Sequence, residues 1–428
     1  LKEDVVMNYV LAVESLNAYH SIVVLGAIVL LGLFTGKLVE KIKIPYITGY
    51  IVAGLFVGGL LVIFGIKDII HSLEVVSAIG LGFIAYGIGR ELVFSRLKKT
   101  GKEVIVITIM QAVVTTAIVS GGLILLGVSL PVALIFGAIA TATEPASIML
   151  LTKKFRTKGP LTKTLIPLVG LDDAVGIVIF GVLLSIAKSL EKGLHLNFIA
   201  IVEEPFFELL FSLVVGIIFG LIVALIIKYI NSKSEEKYEA FLVVSVFAVL
   251  VTVGISKMGL HIGDFPIHMS PILTPMITGV TVTNLISRVQ THDMELSVDK
   301  FTPPILIAFF TIAGAELVIA FFGEADVVIN LVLYLALGYI VLRIIGKIFG
   351  AYLGARVMKS VDPIRKYLGI SLLPQAGVAL GMAYQARIDF ESEGVTILIV
   401  VLIATLFYAL IGPVGVKYAL TKANEIEV

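Results

Sequence analysis

The chain is cut into about 13 apolar stretches, most of them close to the roughly 20 residues that an α-helix needs to cross the hydrocarbon core of a bilayer. Their approximate limits are 20–40, 46–65, 72–93, 103–127, 130–152, 161–187, 205–230, 239–256, 271–287, 303–322, 327–355, 364–387 and 395–416. Open sheets leave backbone groups unsatisfied in lipid, and a barrel needs alternating strands of about ten residues. The stretches are therefore expected to be transmembrane helices, numbered here as spans 1 to 13. Of the 428 residues, 58% are hydrophobic and only 15% charged. Soluble chains run at about 25% charged, so soluble-enzyme and nucleic-acid-binding classes do not fit. Cysteine is absent, which removes disulfides, thiolate chemistry and cysteine metal sites. The stretch before Ser21 lacks a basic segment of the secretory type, so no cleavable signal peptide is expected. Nor is a soluble domain or low-complexity tail.

The net charge of +1 is uninformative, but its distribution is not. With the N-terminus placed outside, 24 of the 32 Lys and Arg residues fall on the inner side, 6 on the outer side and 2 within a span. This positive-inside bias predicts an outer N-terminus, a cytoplasmic C-terminus and an odd number of spans in the cell membrane.

Two pairs of segments echo each other. Pro45-Tyr46-Ile47-Thr48-Gly49 returns as Pro275-Met276-Ile277-Thr278-Gly279, and Gly89-Arg90-Glu91-Leu92-Val93 returns as Gly314-Ala315-Glu316-Leu317-Val318. The offsets are 230 and 225 residues. They pair spans 1–6 (about 20–187) with spans 8–13 (about 239–416) and leave span 7 (about 205–230) as a linker. Seven crossings separate paired spans, so the copies are inverted, as in many secondary transporters.

Ionisable residues deep in a span are costly and mark function by default. Asp172 and Asp173 sit mid-span in Gly170-Leu171-Asp172-Asp173-Ala174. Neighbouring residues on a helix point about 100° apart, so one carboxylate can face a cavity while the other faces a neighbouring helix. A carboxylate kept from water holds either a proton or a hard monovalent cation, and that competition is the core of exchange. The bland reading of the pair is a helix-packing ion pair. Arg343 and Lys347 lie one turn apart in span 11, on one face. Arg343 could instead snorkel to the interface. Glu91 and Glu316 lie near the ends of their spans. Span 5 contains Thr141-Ala142-Thr143-Glu144-Pro145, and span 12 contains Pro374-Gln375-Ala376-Gly377 at the matching place. Proline removes a helical hydrogen bond, and paired breaks in two halves point to a transport site. Such breaks expose carbonyls to cations and leave half-helix dipoles that Glu144 or Lys347 can balance. The alternative is a pair of simple kinks. His261, Asp264 and His268 are expected in a solvated outer loop rather than a metal site.

These motifs resemble the monovalent cation/proton antiporter superfamily. The resemblance rests on Ile44-Pro45-Tyr46-Ile47-Thr48-Gly49, on Gly89-Arg90-Glu91-Leu92 for its Gly-Leu-Glu motif, and on Leu171-Asp172-Asp173-Ala174 for the Asp-Asp motif of its electrogenic branch. Arg343 to Lys347 and Leu373 to Gly381 complete it, over about residues 20 to 420. It implies an all-α membrane fold, an inverted repeat with two crossed discontinuous helices. It also implies a core domain (spans 3–6 and 10–13), a dimerisation domain from the remaining spans, a homodimer, and elevator-like alternating access. By the same resemblance Asp173 carries cation and proton, Asp172 is a second ion ligand paired with Lys347 in the empty state, and Thr143 and Glu144 belong to the ion site. Lys347 and Arg343 compensate charge, and no cofactor is needed. The Thr143-Glu144-Pro145 motif resembles the Thr-Asp-Pro of the electroneutral branch instead. That branch places a carboxylate partner for the span 11 arginine where this chain has Leu168, so Arg343 is expected to pair with Glu144. The function expected is exchange of Na+ or Li+ for H+, electrogenic, contributing to pH homeostasis. A K+/H+ antiporter and a sodium-coupled solute symporter are the alternatives. An intramembrane aspartyl protease would carry its carboxylates on different helices, and a cation channel would not explain the repeat with paired breaks.

Overall fold

A computed structural model describes residues 2–41, 46–66, 69–191, 198–230, 237–258, 260–262, 265–323, 329–390 and 393–426. Pro45 of the repeat motif and Asp264 lie outside the described residues. Among the described residues the chain forms fifteen α-helices, a 3-10 turn at His71–Leu73, and one hairpin of two three-residue strands, β1 (Leu260–Ile262) and β2 (Phe265–Ile267). Among the described residues, nine helices are long and apolar enough to cross a membrane.

All 13 expected spans correspond to helices. Eleven are single helices: α1 (Lys2–Lys41), α2 (Tyr46–Ile63), α3 (Glu74–Glu91), α4 (Phe94–Leu125), α7 (Pro160–Glu191), α8 (Phe198–Tyr229), α9 (Lys237–Met258), α10 (Leu273–Leu285), α11 (Arg288–Gly323), α12 (Ile329–Val357) and α15 (Gly394–Lys422). The other two are broken. Span 5 is α5 (Leu130–Ile139) plus α6 (Pro145–Lys154), and span 12 is α13 (Asp362–Ser371) plus α14 (Gly377–Asp389). A residue before proline is pushed out of the helical region, and Glu144 is indeed extended, with Pro145 opening α6. Before Gly377, Ala376 is non-helical at φ −156° and ψ −116°.

Expected starts differ most at α1, which begins at Lys2 and not at 20, and next at α11. The span was expected to begin at 303, but the helix starts at Arg288 and runs through Pro303 and Pro304. In the added turns Met294 and Val298 are buried, and the buried Asp293 is paired with Lys237, whose Nζ lies 2.8 Å from Asp293 Oδ2.

The chain divides into two compact units. The first comprises Leu1–Leu81 and Lys300–Val327. Its core packs Ile28 of α1, Val57 and Leu61 of α2, and Ile312 and Ala315 of α11. The second comprises Gly82–Asp299 and Val328–Val428 and holds both broken helices together with α4, α7 and α12. Its core includes Ile107, Leu165, Leu168, Ala351, Leu368 and Val416. Within it α4 and α12 lie close because α12 presents glycines to α4. A Cβ at Gly350 would lie 2.8 Å from Gln111 Cα, and one at Gly346 would lie 2.9 Å from Thr115 Cα. Small residues allow this approach between membrane helices.

Candidate functional site

The two helix breaks meet inside the second unit. The Glu144 backbone N–H donates to the Pro374 carbonyl at 3.0 Å. Thr143 Oγ1 donates to the Leu372 carbonyl at 3.3 Å, and Gln375 Nε2 donates to the Ile139 carbonyl at 3.1 Å. Each break thus satisfies part of the other's exposed backbone, which is required where water is absent. This is the crossing of two discontinuous helices.

The crossing carries two C-terminal helix ends, of α5 and α13, whose free carbonyls are partially negative. Arg343 of α12 answers both. Its Nε donates to the Ala140 carbonyl at 3.0 Å, Nη1 to Leu373 at 2.8 Å, and Nη2 to Ala142 at 2.7 Å and to Pro374 at 3.5 Å. The guanidinium carbon also lies 4.3 Å from the centre of the Tyr408 ring. Arg343 is fully buried, so it does not snorkel. The expected pairing with Glu144 is not found: the planar guanidinium fork matches several carbonyls at once. Glu144 instead accepts from Ser147 Oγ, in the first turn of α6, where a carboxylate complements the helix N-terminus.

One turn on, Lys347 Nζ lies 2.9 Å from Asp172 Oδ2, with both side chains fully buried. Nζ also donates to Thr143 Oγ1 at 2.8 Å and to the Thr141 carbonyl. The other oxygen of Asp172 accepts from Gln111 Nε2 of α4. Asp173 points elsewhere. It is 6% exposed, takes a backbone hydrogen bond from Thr143, and its Oδ1 has no hydrogen-bond partner. Two adjacent carboxylates are therefore in different states: one is held on both oxygens and one has an oxygen to offer. Asp172, Asp173, Thr143, Arg343 and Lys347 all come together at the crossing, with Glu144 at its edge. Glu91 is exposed at the end of α3 and Glu316 is buried in the first unit.

Residues 26–421 match the transmembrane sodium/hydrogen exchanger family. The chain belongs to that family. Sodium/hydrogen exchangers are transporters, not enzymes, and the ions they move are substrates rather than cofactors. Na(+)/H(+) antiporter 1 of Methanocaldococcus jannaschii is 31% identical over 165 residues, 38% of this chain and 39% of that protein. The chain thus spans well under half the length of this relative. Ammonium/H(+) antiporter subunit AmhT of Alkalihalophilus pseudofirmus is 22% identical over 401 residues, covering 93% of this chain and 95% of that one. Among solved structures, the sodium proton antiporter MjNhaP1 from Methanocaldococcus jannaschii at pH 8 superposes with a TM-score of 0.66 at 22% identity, over 96% of this chain and 99% of that chain. A structure of the same antiporter from an electron-microscopy map gives 0.68 at 20% identity, over 94% and 97%. The likeness to these structures is one of fold.

Within the exchanger fold three residues escape a reading based on charge. Gln111 and Gln375 are fully buried amides, and Tyr339 Oη lies 3.0 Å from Gln375 Nε2. The only signal for Gln111 is an amide in an otherwise apolar stretch of span 4.

Proposed function

We propose that this protein is a secondary antiporter that exchanges Na+ or Li+ for H+ across the cell membrane by alternating access, with Asp173 as the carrier. The carrying observation is the contrast at the crossing between a locked Asp172 and an Asp173 with an unpartnered buried oxygen. In the empty state Lys347 neutralises Asp172. A dehydrated cation approaching Asp173 and the Thr143 hydroxyl displaces the proton held there and competes with Lys347 for Asp172. As long as Lys347 holds its proton, both states keep the buried charge compensated, as a membrane interior favours. Arg343 stays bound to the helix ends throughout and keeps the crossing rigid while the site changes sides. The N-terminus lies outside and the C-terminus in the cytoplasm, as the distribution of Lys and Arg supports. The functional unit is a homodimer in which a core of spans 3–6 and 10–13 moves against the remaining spans.

A second reading concerns the cation. The relative that matches over most of this chain is named for ammonium/proton exchange, so ammonium or K+ in place of Na+ is the alternative. A sodium-coupled solute symporter would need an organic substrate. Proteoliposomes containing a pH dye, challenged with Na+, Li+, K+ or ammonium and no organic solute, test all three. Proton movement driven by Na+ or Li+ alone supports the proposal. No proton movement with any cation overturns it.

A further inference from the structure

We infer that Gln111 is a cation-positioning residue of the exchange site, one whose amide keeps Asp172 aimed at the ion once Lys347 lets go. The inference rests on the exchange reading above. Asp172 accepts from two donors on opposite oxygens, Lys347 on Oδ2 and Gln111 on Oδ1. An ionised carboxylate has only acceptor sites, so the chemistry fixes which end of the Gln111 amide faces it: the NH2 end, as observed. Of the two donors, only Lys347 carries a charge that an entering cation repels. Gln111 is neutral and has no reason to leave. When the ion arrives, one oxygen of Asp172 becomes free and the other stays tethered.

The tether is built into the packing. Gly350 brings α12 against the Gln111 backbone, and the side chain is fully buried. Gln111 Oε1 has no hydrogen-bond partner, and neither has Thr115 Oγ1 one turn further along α4. An unpartnered buried amide oxygen is a cost that an apolar residue would not incur, and the donor at the other end of the amide is what offsets it. Without the tether Asp172 would be free to rotate in the loaded state, and the ion would meet a carboxylate that must first be ordered. Preorganisation of this kind acts on affinity.

The test uses the full chain in proteoliposomes, with Na+, Li+, K+ or ammonium, whichever drives wild-type exchange. Gln111→Met keeps the length and removes the donor. Loss of the tether in the loaded state should raise the apparent KM for the cation severalfold, with the maximum rate at saturating cation changed little and the melting temperature lowered modestly, because Asp172 Oδ1 loses its donor. Gln111→Asn keeps an amide with a shorter reach, and its KM should lie between those of wild type and Gln111→Met. An unchanged KM in Gln111→Met, or an equal rise in both variants, overturns the inference. So does a maximum rate that falls together with melting temperature at constant KM, because that is the signature of packing alone. If Gln111→Met does not fold, Gln111→Asn decides by the same split between KM and maximum rate. Asp173→Asn is measured beside them. Survival of exchange there overturns the site reading itself, whereas loss there with a wild-type KM in Gln111→Met overturns only the role of Gln111.

Discussion

Lys347 Nζ is 2.9 Å from Asp172 Oδ2 while Asp173, the next residue along α7, keeps Oδ1 without a partner. The relationship puts neighbouring carboxylates of one type in different surroundings. A proton or a cation bound at Asp173 does not have to break an existing ion pair on that oxygen. Asp173→Asn keeps the shape and removes the exchangeable charge. Exchange should fall to background in proteoliposomes while the purified protein still elutes as a single folded species. Near-normal exchange by a well-expressed variant would rule out Asp173 as the carrier.

Arg343 makes its contacts with carbonyls of both broken helices, not with a carboxylate. A point charge on a flexible stem cannot reproduce a planar fork that donates along several directions. Arg343→Lys should therefore fail to restore the wild type and should destabilise the protein by about 2–4 kcal/mol, as buried carbonyls at two helix ends lose donors. Glu144→Gln should cost much less, because the Ser147 hydroxyl can still donate to an amide oxygen. Thermal melts in detergent would check the order. Equal losses in the two variants would mean that Glu144, and not the carbonyls, is what Arg343 serves.

A third contact ties the end of the chain to the helix that carries the two aspartates. Glu425 accepts from the backbone N–H groups of Leu161 and Thr162 and from Thr162 Oγ1, each at 2.7 Å. The first turn of α7 is thereby capped by a residue that follows α15. Loss of a helix cap costs about 0.5–2 kcal/mol, and Glu425→Ala should lower stability by about that amount. Glu425→Asp, one methylene shorter, should recover part of it. A melt identical to wild type in Glu425→Ala would show that the cap contributes nothing.

These three sites differ in how far they could be read from the sequence. Pro145 and Pro374 give away the breaks because each stands among small and polar residues at matching places in the two halves; proline alone does not, since α11 runs through Pro303 and Pro304. Asp172, Asp173 and Lys347 stand out because a charge in an apolar span needs a reason. The partners of Arg343 stay hidden: they are carbonyls, which every residue carries, and a search for a carboxylate leads to Glu144 instead. Gln111 has no charge to draw attention. The early start of α11 at Arg288 is missed because charged residues before Pro303 resemble a loop, although Met294 and Val298 bury one face of a helix there. Glu425 follows the last span, where nothing in its neighbours points to a contact more than 260 residues away.

The last prediction concerns whether exchange moves net charge. The Asp172–Asp173 pair resembles the electrogenic branch and Thr143-Glu144-Pro145 the electroneutral one. The geometry supports the first. Lys347 pairs with Asp172 at 2.9 Å and also donates to Thr143 Oγ1 at 2.8 Å, so a cation that recruits Asp172 and Thr143 takes two partners from Lys347. The lysine, left in a fully buried position, can then hand its proton on. On the electrogenic prediction one proton would leave from Asp173 and one from Lys347 for each cation that enters, and the cycle would transfer one net charge. Initial rates in proteoliposomes should then depend on an imposed K+/valinomycin potential, or on another ionophore-set potential if K+ proves to be a substrate. Lys347→Gln removes the second proton but leaves a donor for Asp172, so it should weaken the response to potential more than it weakens exchange. A wild-type rate indifferent to potential throughout its active pH range would show that Lys347 keeps its proton, and would place this exchanger with the electroneutral branch.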